Sequence, residues 1–251
     1  VATTRLLACA AAGLEKVYPP DFEAYGVSKG DRISPRAGHP LRVLAERIAK
    51  IVGASEVDVY VHQAHSGSIE VEFADPVALM VPAHVLTLPE SHQAFLLTGV
   101  LVDVARGVHA IDKLAPSAVA DMLVAAMRIV DPAFGAGHAQ PDYIETVTKN
   151  LYRGLPRRGR RPLEEAARAY GPSPKPRLDD WLVRIRKTST RAAILVSDDP
   201  ASAVQLLRRT EGDLAHVDGV TLERGMAIIA DALRFAVSDV ASSVRRRIGR
   251  G

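Results

Sequence analysis

The sequence predicts an α+β fold that is mainly α: a helical chain carrying one small antiparallel β-sheet at about residues 57–82. Three observations carry this. Alanine and arginine are abundant while aromatic residues make up only 5% of the chain, a composition that favours helix over an all-β fold. Residues 57–62 (VDVYVH) and 68–73 (SIEVEF) alternate between apolar and polar positions, as half-buried strands do. From residue 117 onward apolar residues recur at helical spacing almost throughout.

Taken in order, residues 3–16 (TTRLLACAAAGLEK) read as a helix with Thr3 or Thr4 as N-cap, stopped by Pro19 and Pro20. A loop rich in Gly, Pro and Ser runs to Pro40. Residues 41–52 place Leu41, Leu44, Ala45, Ile48 and Ile51 or Val52 on one stripe, and Gly53 ends that helix. The two alternating segments follow, with residues 64–67 (AHSG) as the turn of a hairpin and residues 78–81 as a third, shorter strand. Residues 89–91 then open a helix through residues 93–109 (QAFLLTGVLVDVARGVH), for which Ser91 is the candidate cap. Further helices are expected at about 117–130, 142–153, 162–170, 178–188, 190–197, 200–210 and 221–247. The proline-rich break at 172–176 reads either as the boundary between a degenerate peptidase-like region, 1–171, and a helical bundle, 172–251, or as a tight connection within one domain.

A chain of 251 residues has ample apolar material for a core. Its net charge of +3 does not by itself point to nucleic acid. The lone Cys9 excludes an internal disulfide and suits a reducing compartment. No apolar run reaches the roughly 20 residues that span a bilayer. The longest, residues 94–105, is interrupted by Thr98, Gly99 and Asp103 and reads as a buried core helix. Residues 6–12 lack the basic cluster of a secretory leader and continue as helix, so a cytoplasmic protein without a membrane partner is expected. The chain begins at Val1, as a piece of a longer protein would.

The order helix, strand, hairpin partner, short strand, helix across residues 41–113 resembles the soluble gluzincin domain of CAAX-prenyl-protease-type metallopeptidases. LRVLAERIAKIVG resembles that family's first helix, VDVYVH its next strand, and VALMVPAHVLTLPESHQAFLL its strand and turn into the zinc helix. The resemblance places the H-E-x-x-H ligands and catalytic glutamate at Thr98, Gly99 and Val102, none of which can ligate zinc or relay a proton. Glu164 or Glu165 would stand for the third ligand, and one carboxylate does not hold catalytic zinc. The phrases DRISPRAGHPLR, VYVHQAH, RRGRRPLEEAARAY and LLRRTEGDL make the whole chain resemble the C-terminal globular region of large bacterial tetratricopeptide-repeat proteins.

Other constellations read structurally. His62 and His65 stand three apart, and His84, His92 and His109 are separated by 8 and 17 residues, which matches no compact zinc motif. Cys9 lies in an apolar helix, as a packed thiol does. Asp179 and Asp180, and Asp198 with Asp199, sit where helix caps belong. FGAGH at 134–138 lacks a phosphate-loop pattern and reads as a connection. The strongest electrostatic features are Arg153, Arg157, Arg158, Arg160 and Arg161, and a second group of Arg245, Arg246, Arg247 and Arg250. Together these could track a phosphate backbone, although no nucleic-acid-binding motif accompanies them.

The leading expectation is a non-catalytic protein-interaction or scaffold domain, a pseudo-peptidase with no cofactor and no metal. Its partner is expected to be another protein, received by strand addition beside the sheet near Val71, Phe73 and Val81. The alternatives are nucleic-acid binding through Arg157, Arg158, Arg160 and Arg161, and a metal-dependent hydrolase with an unconventional site.

Overall fold

A computed structural model describes residues 2–64, 68–171, 177–212 and 219–249, with side chains left undescribed at 208–212 and 219–226. The expected hairpin turn at 65–67, His65, the 172–176 boundary and Arg250 lie outside the described residues.

The N-terminal helix is shorter than its apolar run suggests. Helix α1 (Ala2–Ala10) passes through a 3-10 turn at Ala11–Gly13 into the single-turn α2 (Leu14–Val17). At Gly13 a Cβ would lie 2.7 Å from the Leu151 carbonyl oxygen, so glycine there permits a close helix crossing. Helix α3 (Pro40–Val52) starts on His39, whose Nδ1 accepts from the Leu41 amide at 3.2 Å, with Pro40 in its first turn. It ends on Gly53 in the left-handed conformation.

Strands β1 (Val57–His62), β2 (Glu70–Glu72) and β3 (Val77–Pro82) form a sheet in the order β1-β3-β2. This corrects the expected antiparallel hairpin. β1 runs parallel to β3, from Val57 opposite Val77 to His62 opposite Pro82, and β2 is antiparallel to β3, with Val71 opposite Leu79. The alternation correctly marked the faces of β1 but could not choose its neighbour. β3 is buried along nearly its whole length and takes the central position. One face, with Val57, Val59, Val71, Leu79 and Val81, meets the main core. The other is covered by the proline- and glycine-rich 18–39 segment, where the Phe22 and Tyr60 rings stand 5.0 Å apart and Tyr25 donates to Glu70 at 2.7 Å. Ion pairing holds this layer: buried Glu72 pairs with Lys113, and buried Arg42 reaches Glu46 at 2.6 Å and donates to the Val57 carbonyl at 2.6 Å.

Helix α4 (Glu90–Ala105) follows Pro89, which takes the cap position expected for Ser91. Helices α5 (Pro116–Arg128), α6 (Pro141–Gly154) and α7 (Arg157–Tyr170) follow, and each carries proline in or near its first turns. The expected helices 178–188 and 190–197 are one continuous α8 (Leu178–Ser197). The polar run at 188–190 does not break it. Thr188 folds its hydroxyl back to the Arg184 carbonyl at 2.9 Å, and Ser189 is buried against α4. Asp179 and Asp180 stand in its first turn rather than capping it, where their charge suits the helix dipole.

Asp199 does cap α9 (Pro200–Gly212), accepting from the Ser202 amide at 3.0 Å. The expected single helix at 221–247 is two, α10 (Gly219–Ala236) and α11 (Asp239–Arg247). Ser238 adopts an extended conformation and accepts from the Ala241 amide at 3.2 Å, starting a new helix where the apolar spacing runs on. The main core draws on α1, α3, the sheet, α4 to α7 and, through Trp181, Ile185 and Val196, on α8.

Candidate functional site

Helix α4 is apolar on both sides because it is packed on both, by α3 and by α8. Leu97, Thr98 and Leu101 are fully buried on one face. Phe95, Gly99 and Asp103, spaced four apart, together with Val100 line a cleft of about 610 Å³ against Leu182, Val183, Arg186 and Ser189 of α8. Ile69, Ile111 and Asp112 contribute to the same lining.

The polar groups of this cleft are unusual in their burial. Asp103 is 3% exposed and accepts a hydrogen bond from Ser189 Oγ at 2.7 Å. Burial pushes its carboxyl up to about 6, against the lowering influence of Ser189, Arg106 and Arg186. Asp112 ends the short 3-10 turn His109–Asp112, and its Oδ2 is sealed from solvent without a hydrogen-bond partner. Burial first, and then the charge of Asp103, raises its pKa well above the usual carboxylate range, with Arg186 opposing. Two neighbouring carboxyls withdrawn from water cannot both ionise cheaply, so the charge of one opposes ionisation of the other. His109, in the same turn, packs 5.8 Å from the Phe73 ring and is held to about 4 by burial alone, so it is neutral.

The residues singled out in the sequence fall in different places. Of the three positions on the resembled zinc helix, only Gly99 lines the cleft, and a Cβ there would meet open space. Thr98 donates to the Ala94 carbonyl at 2.6 Å inside the core, and Val102 is buried. Val71, Phe73 and Val81 are 0%, 2% and 0% exposed, which corrects their assignment to a groove: their side chains are core. Strand β2 is an edge but spans only three residues, a short template for strand addition.

The arginines of α7 are partly engaged. Arg160 stacks 4.6 Å over the Tyr152 ring and Arg161 pairs with Glu165 at 2.9 Å, while Arg157 and Arg158 are exposed. Arg245 pairs with Asp198 at 3.2 Å and donates to the Ala236 carbonyl at 3.1 Å, tying α11 to the ends of α8 and α10. His62 is buried against Tyr25, with ring centres 5.0 Å apart. Cys9 is half-buried, and burial raises its thiol pKa, as for a packed cysteine. Among the described residues no three His, Cys, Asp or Glu side chains converge to hold a metal ion, and no helix is long and apolar enough to cross a membrane.

The carboxyl pair was not assigned from the sequence. Asp103 carried a signal, as the one charge in the apolar 94–105 run. Asp112 and Ser189 carried none, since nothing in their local pattern tells which distant segment they face. No protein family, curated protein or solved structure matches this chain.

Proposed function

We propose that the chain is a non-catalytic protein-interaction domain whose docking site is the cleft between α4 and α8. In this reading the helix that resembles a zinc helix supplies a wall of a binding cleft instead of metal ligands. The observation that carries it is the buried, unpartnered Oδ2 of Asp112 in a cleft with apolar walls. A desolvated acceptor without a donor is costly, and an incoming donor relieves that cost. A cleft of this size, mostly apolar with few convergent polar groups, suits a small ligand or a short peptide segment. The nucleic-acid reading has less to draw on, because Arg160, Arg161 and Arg245 already have partners within the chain.

Two results are expected. A Cβ at Gly99 meets nothing within 4 Å, so Gly99→Phe places its ring in the cleft, and binding of the peptide acetyl-Leu-norleucine-Leu-amide weakens by about tenfold or more while circular dichroism stays unchanged. Unchanged binding would place the docking site elsewhere. Elemental analysis of untagged protein never exposed to chelator is expected to give no stoichiometric zinc, and one zinc per chain would overturn the non-catalytic reading.

A further inference from the structure

We infer that the cleft receives a short apolar peptide segment and seats one lysine ammonium of that segment against Asp103 and Asp112. This rests on the cleft being a docking site, and adds what docks there.

The charge of the lining selects the sign of the ligand. Asp103 and Asp112 face the cleft against one guanidinium, that of Arg186, which is itself exposed to solvent, while Asp179, also in the lining, pairs with Arg177 at 3.9 Å. Arg106 acts on Asp103 electrostatically but is outside the lining. Hydrogen bonding selects for a donor. Ser189 satisfies one oxygen of Asp103, whereas Asp112 Oδ2 is shut off from water with no protein donor in reach. An ammonium brings three donors and a positive charge that offsets the repulsion between the two carboxyls.

The walls select the rest. Phe95, Val100, Leu182 and Val183 offer apolar surface leading to the carboxyls. A lysine buries its methylene stem along such surface while its head reaches a polar end. A compact ammonium on a flexible stem can turn its donors to two separate carboxyls, whereas a planar guanidinium needs a forked acceptor in a fixed plane. The cleft volume of about 610 Å³ leaves room for an apolar residue on either side of the lysine.

Three peptides separate this inference from the reading beneath it: acetyl-Leu-Lys-Leu-amide, its norleucine counterpart, and acetyl-Leu-Glu-Leu-amide, each titrated calorimetrically into the full chain. The lysine peptide is expected to bind at least about tenfold tighter than the norleucine peptide, the equivalent of one charge-assisted hydrogen bond. Asp103→Asn keeps an acceptor for Ser189 and is expected to bring the lysine and norleucine peptides to within about threefold of each other. Asp112→Asn provides the same comparison if the first variant fails to fold by circular dichroism.

Equal binding of the lysine and norleucine peptides would overturn the lysine assignment while leaving the docking cleft in place. Tightest binding of the glutamate peptide would overturn it in favour of an anion held by Arg186. Binding of none would overturn both.

Discussion

Trp181→Ala is expected to lower the stability of the whole described fold by about 3–5 kcal/mol, in a single unfolding transition. Trp181 is 1% exposed at the start of α8, and its Nε1 donates to Thr4 Oγ1 at 3.0 Å, joining residues 177 positions apart. It belongs to the core cluster that also holds Leu6 and Leu7 of α1 and Ile185 of α8. The substitution therefore opens a cavity where the N-terminal helix meets α8, and the cost falls on both. If residues 1–171 and 172–251 unfolded as separate units, the loss would be confined to one of two transitions. Urea unfolding followed by circular dichroism distinguishes these outcomes. The single tryptophan of the unmutated chain offers a second probe, whose transition should coincide with that seen by circular dichroism.

The second large effect is a pH dependence that two substitutions pull in opposite directions. His109 has a folded pKa near 4, depressed by burial from an ordinary value of 6.5. Its contribution to stability is therefore fully present above about 6.5 and is lost as pH falls through 4, a difference of about 3 kcal/mol. Asp103 and Asp112 have raised folded pKa values, also because of burial. Their contribution is present below the ordinary carboxylate value and is lost as pH rises through about 6 for Asp103. Between pH 4 and 6.5 one histidine opposes two carboxyls, so the unmutated protein keeps a net gain in stability as pH falls. His109→Gln should then gain stability more steeply than the unmutated protein as pH falls from 6.5 to 4, whereas Asp103→Asn, in which only Asp112 still opposes His109, should show a flatter profile than the unmutated protein. Denaturation midpoints across that range check both, and displacement of the two variants' slopes in the same direction from that of the unmutated protein would contradict the assignment.

What was legible in the sequence was whatever depends on neighbours along the chain. The stripe of Leu41, Leu44, Ala45 and Ile48 is buried as α3, and the alternation of β1 divides Val57 and Val59 from Tyr60 and His62 between two faces. Gly53 and Asp199 perform the terminal roles their residue types suggest. Illegible was whatever depends on distant partners. The sheet order was missed because the period of two marks a strand's faces but not its neighbour. Ser189 looked like a helix break because its hydroxyl partner, Asp103, lies 86 positions away. The continuous apolar spacing across residues 237 and 238 concealed a cap, since Ser238 reads as an ordinary exposed helix position until the chain turns.

The assignment of Val71, Phe73 and Val81 to a groove failed for a related reason. An apolar strand face looks the same in sequence whether a core or a partner covers it, and here α4 and its neighbours form one core with that face. The cleft lies instead where Gly99 and Asp103 interrupt the apolar surface of α4, which were visible as interruptions and not as a site.

The most direct test of the docking cleft is amide chemical-shift mapping of the norleucine peptide on isotopically labelled full chain. Shifts concentrated at Gly99, Val100, Asp103, Val183 and Ser189, and absent in Gly99→Phe, are the predicted result. Shifts centred on the β2 edge at Glu70–Glu72, or on the exposed Arg157 and Arg158 of α7, would contradict it.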